Sequence, residues 1–377
     1  MVKRFAATLA LAALVLCGCG GPAEVRAVAA GRLHSLAVDG DGRLWAWGAN
    51  ESGQLGDGTT SDRSHPARVE GLSGVVAAAG GATHTAALRK DGTVWTWGAN
   101  ERGQLGDGGI ASRAAPGRVV GLEDVIAVAA GAAHTAALGR DGTVWTWGRN
   151  GSGELGDGTT RDRARPGRVE GLPPARAISC GAHHTVILDA DGAVWVWGPN
   201  GDGRLGDGTT EDRLRPVRAA MPEGARVTAI AAGGYHTVAL TDSGNVLAWG
   251  ANWSEAWQLA NATTLNSPRP TPVAANEGLE AVGWPVIPTK DPVRPLGEIA
   301  QVTAGAFHTL AVRRDGLLLA WGQNARWGQL GSGAADWQPS VTPVRGIVAP
   351  RAFAGGMYHS LAVAADGSVL AWGGNHR

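Results

Sequence analysis

The sequence predicts an all-β chain folded as a seven-bladed β-propeller with about four antiparallel strands per blade. Two spacings and one composition carry that prediction. A His followed by Ser or Thr recurs at His34, His84, His134, His184, His236, His308 and His359, the first three steps being 50 residues and the next ones 52, 72 and 51. A Trp-Gly pair follows each His at a constant offset, at Trp47, Trp97, Trp147, Trp197, Trp249, Trp321 and Trp372. Gly reaches 59 residues and Trp 16, against 2 Tyr and 3 Phe, which suits many tight turns between short strands with one aromatic type used at fixed places.

The repeat divides into four strands. In the second copy, Val75 to Ala79 is a run of small and β-branched residues. His84 to Leu88 and Thr93 to Trp97 alternate, which puts Trp95 and Trp97 on one face. Asp91-Gly92 between them supplies a tight hairpin turn. Pro66 to Val69 reads as the outer strand of the first copy, its Pro being tolerable at a strand start or at an edge. Blades begin near Val25, Val75, Val125, Ala175, Val227, Ile299 and Arg351. No segment of the repeat carries a helical period of useful length.

The unit H-T-x-A-L-x-x-D-G-x-V-W-x-W-G-x-N-x-x-G-Q-L-G-D-G resembles the repeat of the regulator of chromosome condensation family over roughly residues 25–377. That resemblance implies a seven-bladed ring. It also implies a binding protein: family members include a nuclear exchange factor for a small GTPase and secreted enzyme inhibitors. The last copy departs from the pattern. It stops at Trp372-Gly373-Gly374-Asn375, without the Gly-Gln-Leu-Gly loop and outer strand, and nothing before Val25 reads as a replacement. Blade seven is therefore expected to have three strands, unless the sequence is truncated.

The N-terminus reads as an address. Lys3 and Arg4 precede a twelve-residue apolar run, Phe5 to Leu16, too short to span a bilayer but suited to a signal peptide. Leu16-Cys17-Gly18-Cys19 resembles the lipobox of bacterial lipoproteins. The expectation is a signal peptide over 1–18, lipidation at Cys19, a linker over 19–24 and a propeller over 25–377. The protein would then sit at the cell envelope as a lipid-anchored monomer facing the periplasm or exterior, touching membrane only through its anchor. Cys180 is the other cysteine of such a mature chain, so no disulfide framework is expected. With 33 basic against 33 acidic residues, no global field favours nucleic acid.

The seven histidines are expected to be structural, buried and bonded to neighbouring backbone, because a metal site needs ligands converging on one point. Cys180 with His183 and His184 is the one local Cys/His cluster, without a third catalytic group. The Gly-Asp-Gly-Thr-Thr loops at 56–60, 156–160 and 206–210 read as turns, since neither a phosphate loop nor an EF-hand follows. Arg68, Arg118, Arg168 and Arg218 read as a solvated outer rim. No metal, cofactor or catalytic set is expected, and the chain reads as a non-enzyme.

Function is sought where the repeat breaks. Blade five carries an excess of about 22 residues, read as a Pro-rich insertion at about 265–297. Eleven tryptophans belong to the repeat; the other five, Trp253, Trp257, Trp284, Trp327 and Trp337, fall in blades five and six. Trp offers large contact area at small entropic cost. These five are the candidate binding residues for a protein partner; carbohydrate or cell-wall polysaccharide is the alternative.

Overall fold

Strand alternation and glycine turns close each repeat on itself. The structure, a computed structural model, describes residues 12–14, 24–253, 257–261, 263–274, 296–324, 326–333 and 338–374. In the first repeat, strands Val25–Ala30, His34–Asp39, Leu44–Gly48 and Arg63–Arg68 pair antiparallel in chain order, innermost first. The later blades start at Val75, Val125, Ala175, Val227, Ile299 and Ala352, giving seven sheets and a seven-bladed propeller. The described residues contain no helix. The hairpin glycines adopt positive φ, as at Gly92 (φ 78°), where a side chain would be strained.

Two expectations are corrected. The outer strand of blade one begins at Arg63, so Pro66 lies within it; an edge strand tolerates the missing N–H. The second concerns the residues before Val25: blade seven has the three strands expected of its own repeat, Ala352–Gly355, His359–Val363 and Val369–Gly373. Beside the last lies Ala12–Leu14, antiparallel, with Ala12 opposite Ala371. A segment before Val25 therefore does reach this sheet, because a bare edge offers unpaired N–H and C=O groups to a short strand.

The core lies between blades. One cluster joins Leu36, Val38 and Leu44 of blade one to Val75, Ala87 and Trp97 of blade two, and another joins Val25, Ala37 and Trp47 to Leu361, Val363 and Val369, closing the ring. The Trp that precedes Gly in each repeat fills these interfaces; Trp97, Trp147, Trp197, Trp249 and Trp321 are fully buried.

A polar lock joins each blade to the next. His34 Nε2 bonds Thr85 Oγ1 at 3.0 Å, and the same bond recurs from His84, His134, His184, His236 and His308. His359 Nε2 meets Ser35 Oγ at 3.1 Å, so the bonds form a complete circle. The imidazole partner is thus a hydroxyl of the neighbouring blade, and the expected backbone partner is corrected. Thr85 Oγ1 in turn donates to the Gln54 carbonyl at 2.8 Å, which also accepts from Trp97 Nε1 at 2.9 Å. A hydroxyl has one hydrogen, so it must accept from the imidazole, which places the ring proton on Nε2. The other edge of each ring rests on glycine: a Cβ on Gly31 would stand 2.1 Å from His34 Cε1.

Candidate functional site

The turn between the first two strands and the loop after the third emerge on the same face of the ring, by antiparallel geometry. On that face the seven Gly-x-x-His turns encircle the axis, and their backbones bond from blade to blade, as Arg32 N–H to Gly81 O (3.0 Å) and Ala306 N–H to Gly356 O (3.0 Å). They line a cavity of about 310 Å³ at the channel mouth, walled mostly by Gly and Ala.

The residue before each repeat His stands on the rim of this mouth. In blades one to four it is Leu33, Thr83, Ala133 and His183; in blades five to seven it is Tyr235, Phe307 and Tyr358. The three rings form an arc, Tyr235 stacked on Phe307 at 5.7 Å between centroids and Phe307 on Tyr358 at 6.0 Å. Tryptophans from the adjoining loops complete it. Trp253 lies 4.9 Å from Tyr235 and 6.1 Å from Phe307, and Trp327 lies 5.9 Å from Tyr358. Trp253 is 39% exposed and the other four rings are half-buried, so the arc is packed from behind and open in front.

The tryptophans lie in loops that are longer than those of the regular blades. Blade one runs from Asn50 to Gly53 and Gln54, whereas blade five runs from Asn252 to Trp257 and Gln258, two residues longer. Blade six runs from Asn324 to Gly328 and Gln329, one residue longer. Trp257 takes the place of a glycine and keeps its positive φ (48°), with its N–H donating to Trp253 O at 3.1 Å.

Charges flank the arc. Arg204 lies 4.9 Å from the Tyr235 centroid and pairs with Asp202. Behind it Glu154, fully buried, meets Arg149 Nε at 3.2 Å and lies 3.9 Å from His183 Nδ1. Burial, with Arg149 and Arg204 nearby, pushes His183 down to about 4. At the far end Arg32 is exposed on the mouth, its Nε 3.2 Å from Met357 Sδ.

The structure brings Trp253 and Trp327 of the candidate tryptophans into one surface and sets Trp257 in the supporting loop. Trp284 and Trp337 lie outside the described residues, as does Cys19. Of the Pro-rich stretch, Ser267–Pro272 forms the ordinary outer strand of blade five, and residues 275–295 lie outside the described residues. Cys180 lines the mouth, but burial pushes its thiol up to about 12, so it holds its proton at neutral pH and is a poor nucleophile. Among the described residues no group of three or more His, Cys, Asp and Glu could hold a metal ion. In the Gly-Asp-Gly-Thr-Thr loops Asp57 Oδ1 accepts from Thr59 N–H and Oγ1, a local turn. Arg218 lies over the Trp195 ring at 4.9 Å, so this outer-strand arginine covers aromatic surface as well as facing solvent. Sequence reasoning missed Tyr235, Phe307, Tyr358 and Arg32. The signal was present: both tyrosines of the chain directly precede a repeat His.

The RCC1-like domain profile matches residues 112–377, and profiles of the regulator of chromosome condensation (RCC1) repeat match 41–88, 25–54 and 75–104. The chain is 35% identical over 155 residues to the Arabidopsis thaliana RCC1 domain-containing protein RUG3, mitochondrial, covering 40% of this chain and 31% of the relative. The chain thus spans about a third or less of the length of the first curated relatives it matches. Human WBSCR16 superposes with a TM-score of 0.75 at 22% identity, over 93% of this chain and 87% of that one. Prp20p from Saccharomyces cerevisiae, described with its binding properties to Gsp1p and histones, gives 0.72 at 23% identity, over 92% and 81%.

Proposed function

We propose, from the premise that this chain belongs to the RCC1-like domain family, that it is a non-catalytic scaffold that binds a protein partner at the channel mouth. One observation carries the reading: an aromatic arc of Trp253, Tyr235, Phe307, Tyr358 and Trp327, confined to blades five to seven and open to solvent at Trp253. Aromatic clusters held rigid from behind are the usual anchors of protein interfaces, because little side-chain entropy is lost on docking. Protein binding by the similar Prp20p supports the class of function and leaves the partner to be named.

The N-terminal residues support delivery to the cell envelope, with Cys19 lipidated and the chain tethered outside the cytoplasm. On this reading Ala12–Leu14 belongs to the precursor, and its removal frees the outer side of Val369–Gly373. The test is affinity capture from envelope extract with the wild-type chain, a Phe307→Ala, Trp253→Ala double variant, and Thr83→Ala on the opposite rim. A partner retained by Thr83→Ala and lost by the double variant supports the reading. Equal capture by all three defeats it. Loss of membrane fractionation in Cys19→Ala tests the anchor.

A further inference from the structure

The arc leads to a cation that no carboxylate opposes among the described residues. Arg32 occupies the turn position held elsewhere by Ala82, Ala132, Ala182, Gly234, Ala306 and Met357. It is exposed beside Met357, at the Tyr358 end of the arc. Among the described residues it has no carboxylate partner, whereas Arg204 at the other end pairs with Asp202, and Arg149 with Glu154. Among the described residues the cavity lining holds one formally charged side chain, Arg32, and no Asp or Glu. Its other walls are Gly, Ala, Tyr235, Phe307, Met357, Cys180 and the neutral His183.

We infer that the mouth receives an acidic, aromatic-bearing loop of a protein partner, whose apolar side chain covers Phe307 and its neighbours while an adjacent carboxylate pairs with Arg32. This rests on the binding-scaffold reading and adds its chemistry. A cavity of about 310 Å³ is far larger than a single water needs and leaves room for an inserted side chain. A guanidinium in an apolar surround prefers a planar carboxylate that it can grip with two N–H groups. One cation at the mouth cannot neutralise a nucleic-acid backbone, which demands several. A basic loop would meet Arg32 without any compensating anion. The mouth therefore selects by sign as well as by aromatic contact.

The experiment pans a phage-displayed library of random 12-residue peptides against the intact chain, then titrates the enriched sequences as synthetic peptides. Enriched peptides are expected to carry Asp or Glu within two residues of an aromatic. Their Kd should rise about tenfold or more with Arg32→Glu, and similarly when the peptide carboxylate becomes an amide, with Thr83→Ala neutral. Arg32 is exposed, so the variant is expected to fold, and an unchanged thermal midpoint checks that. Neutral or basic enriched sequences, equal affinity for Arg32→Glu, or no enrichment each overturn the inference. Binding lost in Phe307→Ala but kept in Arg32→Glu defeats the charge argument and leaves the aromatic reading standing. Binding kept in both variants defeats both.

Discussion

Blades one to four and blades five to seven are built to the same plan and differ most plainly at the channel mouth. The locks run through both regions: His84 to Thr135 at 3.0 Å in the regular half, His236 to Thr309 at 3.0 Å and His308 to Ser360 at 2.8 Å in the other. The rim differs. Leu33, Thr83 and Ala133 give way to Tyr235, Phe307 and Tyr358, and the loops behind them lengthen to carry Trp253 and Trp327. Residues that repeat hold the ring together, and residues that break the repeat are presented by it. Positions on a rigid ring can diverge at the rim because their backbones are already held by the neighbouring blades.

The largest test of the shared plan is acid. Burial pushes His34, His134 and His308 down to about 3 and His84, His236 and His359 to about 4, with neighbouring imidazoles adding to the effect at His34, His134 and His308. Folded-state values below the ordinary 6.5 mean that between pH 6.5 and about 4 the unfolded chain binds protons that the native chain refuses. Stability is therefore full above pH 6.5 and falls with pH, by about 1.4 kcal/mol per unit for each buried imidazole. Acting together they rival a total stability of about 5–15 kcal/mol. Thermal midpoints should drop steeply from near pH 6.5 downward. A flat profile to pH 5 would show that the rings are not buried neutral.

Next comes Trp147→Ala in the regular half, which empties an inter-blade interface and should cost about 3–5 kcal/mol in urea unfolding. A loss below 1 kcal/mol would deny Trp its place in the core. Thr135→Val keeps the shape but leaves His84 Nε2–H without its acceptor, for about 1–3 kcal/mol, and Thr135→Ser should restore most of it. Equal stability of the two variants would remove the lock from the account. The smallest effect on stability is expected in the irregular half. Trp253→Ala, at 39% exposure, should shift unfolding by no more than about 1 kcal/mol while weakening partner binding. A loss as large as that of Trp147→Ala would make Trp253 a core residue and erase the difference between the halves.

Much of this was legible in the residues. Period, His, Trp-Gly and Asp-Gly turns specify strands and blades because each is a local demand: a turn needs positive φ, and a strand needs alternation. The excess tryptophans pointed to blades five and six for the same reason, as departures from a pattern that can be counted. The hydroxyl partner of each His could not be read, because Thr85 serves His34 across 51 residues and a blade boundary. The start of the outer strand of blade one was missed because Arg63, Ser64 and His65 carry no strand signal of their own, and it is pairing with Leu44–Gly48 that draws them into the sheet.

The sequence by itself determined the ring, its seven units and the places where the units differ. Only the tertiary structure decided that Tyr235, Phe307 and Tyr358, spread over 123 residues, stack into one arc, with Arg32 beside Met357 on the same mouth. The reason is geometric. Turns from different blades meet only where the closed ring crowds them around a common axis, and closure couples residues at the two ends of the chain, as it couples Arg32 to Met357.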